Sequence, residues 1–274
     1  MSHTLINGQF ADTIPFDDRG LAYGDGLFET FALQGGNILF RERHLARLQR
    51  GARRLMIDLD MAATNAELDL LSAQWGSDRA VLKLIVTRGS SGRGYGIDPL
   101  APARRIVTVA TVADYPASYY RSGIELALCQ TPLAIAPLLA GIKHLNRLEQ
   151  VLARAELTAR QQEGLLLDSE GWVVEGSFSN LFLVKDHCLL TPLLDRCGVA
   201  GIAREVIIEQ ALAAGIAVLQ QRVSLAEVME ADALFMTNSL IEAWPVRQFN
   251  GRQFDSVAWA ARARQWLLMA GEAA

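Results

Sequence analysis

Only three of the chain's 26 basic residues are lysines, Lys83, Lys143 and Lys185, so chemistry that needs a side-chain amine has few places to occur. Cysteine is as scarce. Cys129, Cys188 and Cys197 are odd in number and form no C-x-x-C pair, which indicates neither a disulfide framework nor a zinc knuckle. A net charge of -4 and a pI near 5.6 leave no positive excess for nucleic acid or an anionic membrane surface. No apolar run approaches the ~20 residues of a membrane span. Residues 1–10 place polar and glycine residues where a signal peptide needs an apolar core, so a cytoplasmic protein is expected. What is present is 274 residues at 51% hydrophobic and 20% charged, enough for one large domain or two modest ones.

In chain order, residues 4–10 and 27–33 are rich in β-formers, and Gln34-Gly-Gly-Asn37 before Ile38-Leu-Phe40 predicts a hairpin. Between them the glycine-rich loop 17–26 can adopt positive φ and approach a ligand closely, although it is acidic and lacks phosphate-loop spacing. A helix over 42–56 is expected to turn Leu45, Leu48, Leu55 and Met56 inward, with Arg43, Arg47, Arg50 and Arg54 on the opposite stripe. Such a stripe is either a solvated face or a way to turn one arginine toward a bound phosphate. A second helix over 61–75 leads to strands at 80–88 and 104–112. The loop 89–96 between those strands carries Arg93 and Tyr95, and reads as either substrate-recognising or a plain flexible turn. Residues 113–118 break the pattern with proline and polar residues. They are the expected linker between an N-terminal domain, 1–112, and a larger C-terminal domain, 119–274, that carries Lys143.

In the second half, Lys143 follows Gly141 at the mouth of a run in which Leu145, Leu148, Val151, Leu152 and Ala155 recur at helical spacing. That spacing places Lys143 at a helix start, where the macrodipole disfavours an ammonium and eases access to the neutral, nucleophilic amine. Taken alone, Lys143 reads as a surface lysine reaching for solvent. Leu165-Leu-Leu-Asp168 with Trp172-Val-Val-Glu175, and 181–185 with 188–191, predict a meander of antiparallel hairpins. Glu175-Gly-Ser-Phe-Ser-Asn180 interrupts it, and a carboxylate ending an apolar strand is costly unless partnered. Gly201-Ile-Ala-Arg204 opens a helix to about 214 whose first N–H groups are free for an anion. Ser224-Leu-Ala-Glu227 is a capping box, 233–239 a strand entering a polar loop, and 255–269 a closing amphipathic helix.

A lysine, a buried carboxylate and a helix start with an arginine are the parts that hold pyridoxal 5′-phosphate. Phe28-Glu-Thr30, His44-Leu-Ala-Arg47-Leu, the lysine-led run, Glu175-Gly-Ser-Phe-Ser-Asn180 and Gly201-Ile-Ala-Arg204 resemble the fold-type IV pyridoxal-phosphate enzymes over nearly the whole chain. Within that group, residues 140–152, 167–173 and 87–95 are most similar to the aminodeoxychorismate lyases. The resemblance implies an α+β, two-domain architecture with largely antiparallel sheets and flanking helices. It also implies a cytoplasmic homodimer that makes 4-aminobenzoate and pyruvate from 4-amino-4-deoxychorismate for folate biosynthesis, with no metal. By the same resemblance Lys143 carries the cofactor as a Schiff base and then removes the substrate's C4 proton, with Thr30 as an acid or relay. Glu175 keeps the ring nitrogen protonated. Arg47, Asn180, the N–H groups of Ile202 and Ala203, Thr237 and Asn238 complete the implied cofactor set. Arg88, Arg93, Tyr95 and Arg147 are the implied partners of the substrate's two carboxylates. Ala203 stands where many relatives carry threonine, and Thr237-Asn238 where they carry glycine-threonine. The alternatives are a branched-chain or D-amino acid aminotransferase of the same fold, and a non-catalytic descendant that keeps the fold for binding.

Overall fold

A computed structural model of the chain describes residues 4–75, 79–90 and 94–272. Two units result, one of Met1–Ala113 with Ile142–Asn146, the other of Asp114–Gly141 with Arg147–Ala274. The segment carrying Lys143 thus belongs with the first unit, whereas the linear reading assigned it to the C-terminal domain. Backbone pairing explains the difference. The Phe28 N–H donates to the Lys143 carbonyl at 2.9 Å and the Leu145 N–H to the Gly26 carbonyl at 3.0 Å, so 142–146 runs alongside 26–28.

The first unit contains β1 (Thr4–Ile6), β2 (Gln9–Phe10), α1 (Arg19–Tyr23), β3 (Gly26–Gln34), β4 (Asn37–Ile38), α2 (Arg41–Leu55), α3 (Met61–Trp75), β5 (Ala80–Thr87) and β6 (Arg104–Thr111). The expected single strand over 4–10 is two, because Asn7 and Gly8 adopt φ of 48° and 79°, the hairpin geometry that Asn-Gly favours. The sheet order is β2-β1-β6-β5-β3-β4, antiparallel throughout. Along β3 the side chains alternate, with Leu27, Glu29, Phe31 and Leu33 buried and Phe28, Thr30 and Ala32 on the other face. Helix α2 packs on the buried face, where His44, Arg47 and Leu48 all lie buried. The arginine stripe is therefore not a uniform solvated face, and Met56, expected inward, is exposed. Nor does the loop 17–26 offer its glycines to a ligand. It contains α1, and a Cβ on Gly20 would come within 2.2 Å of Thr87 Cγ2.

The second unit contains α4 (Ala117–Arg121), β7 (Ile124–Leu128), α5 (Leu148–Ala155), β8 (Glu163–Leu167), β9 (Val173–Gly176), β10 (Asn180–Lys185), β11 (Cys188–Pro192) and α6 (Ile202–Ala213). It continues with β12 (Val218–Gln221), α7 (Leu225–Glu230), β13 (Ala233–Asn238), β14 (Glu242–Phe249), β15 (Arg252–Gln253) and α8 (Val257–Glu272). The strands form one sheet in the order β12-β11-β10-β13-β14-β7-β8-β9, with β15 on β14. The hairpins β8–β9 and β10–β11 form as expected, the latter through Asp186 and His187 at positive φ. The meander is nonetheless broken by three parallel pairings, β11–β12, β14–β7 and β7–β8. Leu165, Leu181, Leu183, Leu234, Met236, Trp244, Val246 and Phe249 pack into its principal core. Tyr115, Tyr119, Tyr120 and Phe178 meet the Trp244 ring edge-on, with centroids 4.8, 5.3, 6.2 and 6.0 Å away. The capping box holds, with the Ser224 side chain accepting from the Glu227 N–H and Glu227 accepting from the Ser224 N–H.

Helix α5 departs from expectation twice. It begins five residues after Lys143. Its apolar stripe faces away from its own unit, leaving Leu148, Val151 and Leu152 exposed at 76%, 60% and 57%.

Candidate active site

In the first unit Lys143 lies outside any helix, next to the isolated bridge between Leu27 and His144, so it does not stand at the helix start that its spacing predicts. Its Nζ sits 4.3 Å from the centroid of the Phe28 ring, over the open face of β3. Lys83, cross-strand from Thr30, brings a second Nζ to 5.7 Å from the same ring. Thr30 is two residues along β3 from Phe28 and therefore shares that face.

Behind the opposite face lies a buried triad. Arg47 donates from Nε to Glu29 Oε1 at 2.8 Å and from Nη2 to Glu29 Oε2 at 2.5 Å, and His44 Nδ1 lies 2.7 Å from Glu29 Oε2. Burial pushes the Glu29 carboxyl up, but the charge and hydrogen bonds of Arg47, aided by His44, outweigh it and hold the group at about 2. Burial lowers the His44 pKa against the pull of Glu29, with Arg47 and Lys143 adding to the lowering, so a neutral ring donates to the carboxylate. Arg47 is the expected phosphate ligand, yet two of its nitrogens donate to Glu29, and any anion it holds shares that charge.

Arg88 has a structural role in place of the expected substrate contact. Its Nε and Nη2 donate to Asp25 at 2.7 and 2.9 Å, and Nη1 and Nη2 donate to the carbonyls of Met56 and Leu55 at 2.7 and 2.6 Å. It thus closes the C-terminal end of α2. Tyr95 is exposed and packs on Tyr23 with centroids 5.4 Å apart, and Arg93 lies outside the described residues.

In the second unit Glu175 is buried at the end of β9. The Val199 N–H donates to its Oε2 at 2.8 Å, and Gln150 Nε2 lies 3.5 Å from its Oε1. Asn180 holds the same stretch on both sides, donating from Nδ2 to the Val199 carbonyl at 2.9 Å and accepting the Gly201 N–H on Oδ1 at 3.1 Å. A Cβ on Gly201 would stand 2.1 Å from that Oδ1, so only glycine fits. Gly201 caps α6, whose first intrahelical donor is the Glu205 N–H to the Gly201 carbonyl. The N–H groups of Ile202 and Ala203 precede it and point out of the helix start. Burial lowers the Arg147 pKa, with Glu175 and Glu149 opposing, and lowers that of Arg204 to about 10, with Glu175 and Glu205 opposing. Arg204 ties α6 to β11 and β12 through Thr191, the Pro192 carbonyl and Gln220.

Two expected cofactor contacts are spent elsewhere. The Thr237 hydroxyl donates to the Glu242 carbonyl, which leaves no proton for a phosphate. Asn238 donates to the Phe178 carbonyl and accepts from the Leu240 and Ile241 N–H groups, so its side chain shapes the turn after β13. Sequence reasoning missed Glu163, a fully buried acid gathered by Ser177 and Ser179. The signal was there: a lone carboxylate opening the apolar run Glu163-Gly-Leu-Leu-Leu.

A solved structure of 4-amino-4-deoxychorismate lyase from Pseudomonas aeruginosa superposes with a TM-score of 0.92 and 46% identity, covering 96% of this chain and 97% of that one. An aminodeoxychorismate lyase from Vibrio harveyi is 34% identical over 245 residues, 88% of this chain and 89% of the relative. A D-alanine aminotransferase from Listeria innocua is 32% identical over 258 residues, 91% of this chain and 88% of the relative. Residues 26–249 match the family described as amino-transferase class IV, and the paired α+β units are those of fold type IV. Matched over most of its length, the chain belongs to the class IV aminotransferase family.

Proposed function

We propose that this protein is a pyridoxal-phosphate-dependent lyase that converts 4-amino-4-deoxychorismate to 4-aminobenzoate and pyruvate. The observation that carries the reading is its 46% identity, across 96% of the chain, to a lyase of that name. The residues present fit the cofactor. They offer an amine at Lys143, a buried acid with one oxygen pinned at Glu175, and a glycine-led helix start with outward N–H groups. Pyridoxal 5′-phosphate, when bound, supplies an aldehyde for an amine to hold and a ring that takes up the electron pair left by a departing proton.

Lys143 is assigned the covalent hold and then, released by the substrate's own amine, the removal of the C4 proton. Glu175 keeps a proton at the ring nitrogen; a hydrogen bond between charged partners contributes roughly 1.5–3 kcal/mol. The N–H groups of Ile202 and Ala203 receive the phosphate, with Asn180 fixing the loop before them and Arg47 adding charge. Thr30, on the face of β3 that Lys143 overlies, relays a proton to the leaving fragment. Arg147 and Arg93 meet the substrate carboxylates. The exposed stripe Leu148, Val151 and Leu152 supports a homodimer, because an apolar helical face of this kind is stable in water when a second copy covers it. No described helix is long and apolar enough to cross a membrane, which agrees with a cytoplasmic enzyme.

A second reading, amino transfer, is favoured by the 32% identity to a D-alanine aminotransferase. Incubating the purified protein with 4-amino-4-deoxychorismate separates the two. Pyruvate and 4-aminobenzoate in equal amounts are expected, whereas amino transfer to 2-oxoglutarate without either product would reverse the assignment.

A further inference from the structure

Glu163 opens β8 and is completely buried. Its Oε1 accepts the Gly164 N–H at 2.8 Å, the Ser177 N–H at 3.0 Å and the Ser177 hydroxyl at 2.5 Å. Its Oε2 accepts the Ser179 hydroxyl at 2.6 Å and, at 3.4 Å, the Phe178 N–H. Each of these partners is a neutral donor, and among the described residues no cation pairs with it directly, Arg154 acting only through its charge from further off. An ionisable group buried without a counter-ion is costly, so its place in the fold needs a reason beyond packing. We propose that Glu163 is a positioning residue: its carboxyl folds the turn at 176–179 and thereby sets both Glu175 and Asn180.

The turn is wrapped around the acid. Gly176 donates to the Ser179 carbonyl at 2.6 Å, and a Cβ on Gly176 would meet Ser179 Oγ at 2.5 Å and Glu163 Oε2 at 2.9 Å. Strand β9 ends at Gly176 and β10 begins at Asn180, so the turn fixes where the residues on either side of it leave the sheet. Those two side chains then grip one stretch, Glu175 through the Val199 N–H and Asn180 through the Val199 carbonyl and the Gly201 N–H. The next residue begins α6. One carboxyl therefore governs the acid and the helix start together. It accepts on both of its oxygens, whereas an amide of the same size accepts on one and donates from the other position.

The inference rests on the reading of Glu175 and the α6 start as cofactor partners, and the test keeps the two apart. Glu163→Gln is compared with Ser177→Ala, Ser179→Ala and Glu175→Gln in full-length protein titrated with pyridoxal 5′-phosphate. Cofactor affinity is followed by near-visible absorbance, and the pH midpoint of the lysine-bound band and the apo melting curve are recorded beside it. Glu163→Gln is expected to stay folded without cofactor, to bind it about tenfold more weakly and to move the band's midpoint, with each serine variant showing a smaller loss of affinity. Affinity within about twofold of the parent and an unmoved midpoint in Glu163→Gln, while Glu175→Gln is impaired, overturn the positioning role alone. Should Glu163→Gln fail to fold, parental affinity in both serine variants overturns it. Parental behaviour of Glu175→Gln removes the underlying reading instead.

Discussion

Lys143 is held at a ring rather than at a helix end, and the cation–π contact that its replacement removes is of about 0.5–1 kcal/mol. Lys143→Ala is accordingly expected to remain folded and to lose the near-visible band of bound cofactor, while Lys83→Ala keeps it; persistence of the band in Lys143→Ala would assign the attachment to another amine. Arg88 calls for the opposite outcome. Removing it strips Asp25 of one of its two arginines and uncaps two carbonyls of α2, an expected loss of about 2–4 kcal/mol by denaturant titration with cofactor affinity kept. A variant as stable as the parent with a raised KM would return Arg88 to substrate binding. At this scale the placement of a residue was legible where its type is out of keeping with its neighbours, as with the carboxylate of Glu175, which is buried in β9. It was illegible where the role depends on a distant partner. Nothing in the local sequence pairs Arg47 with Glu29 or Arg88 with Asp25, and both arginines had looked available for ligands.

Helix α5 shows why periodicity finds an element but not its neighbour. The spacing of Leu148, Val151 and Leu152 marks one apolar face correctly, but cannot tell whether that face meets its own unit or another chain. With these residues exposed, Val151→Glu is expected to leave the melting of the second unit intact while shifting sedimentation from dimer to monomer. A parent protein that sediments as a monomer at all concentrations would sink the assignment of this face. Local signals also account for the elements that were and were not anticipated. Helix α3, the Gly35-Gly36 hairpin and the Ser224 capping box are set by residues a few positions apart, and each formed where expected. Strand β14 went unseen because Pro245 stands in its middle, where a missing N–H ordinarily demotes a strand. Strands β7 and β12 are parallel partners of segments far away in sequence, a relation that no short window contains.

For the molecule as a whole, the buried triad beneath β3 ties stability to acidity. Glu29 ionises at about 2 in the folded chain against an ordinary 4.5, so its contribution is present above that ordinary value and is lost as pH falls from there toward 2. The amount is on the order of 3 kcal/mol. Thermal melts from pH 6 to pH 2.5 are expected to drop most steeply below about 4.5, and Glu29→Gln to be less stable at neutral pH but flatter in acid. Equal slopes for the two proteins would deny the triad that role. The general architecture followed from the family resemblance, whereas the mixed order of the second sheet came only from three-dimensional pairing. The aromatic ring around Trp244 has an optical consequence. Phe178, inside the 176–179 turn, lies edge-on to an indole that is 1% exposed. With Trp75, Trp172, Trp259 and Trp266 exchanged for phenylalanine, the remaining emission comes from one sealed fluorophore. Any loosening of the turn then registers as a red-shifted spectrum, visible in stopped flow without a label.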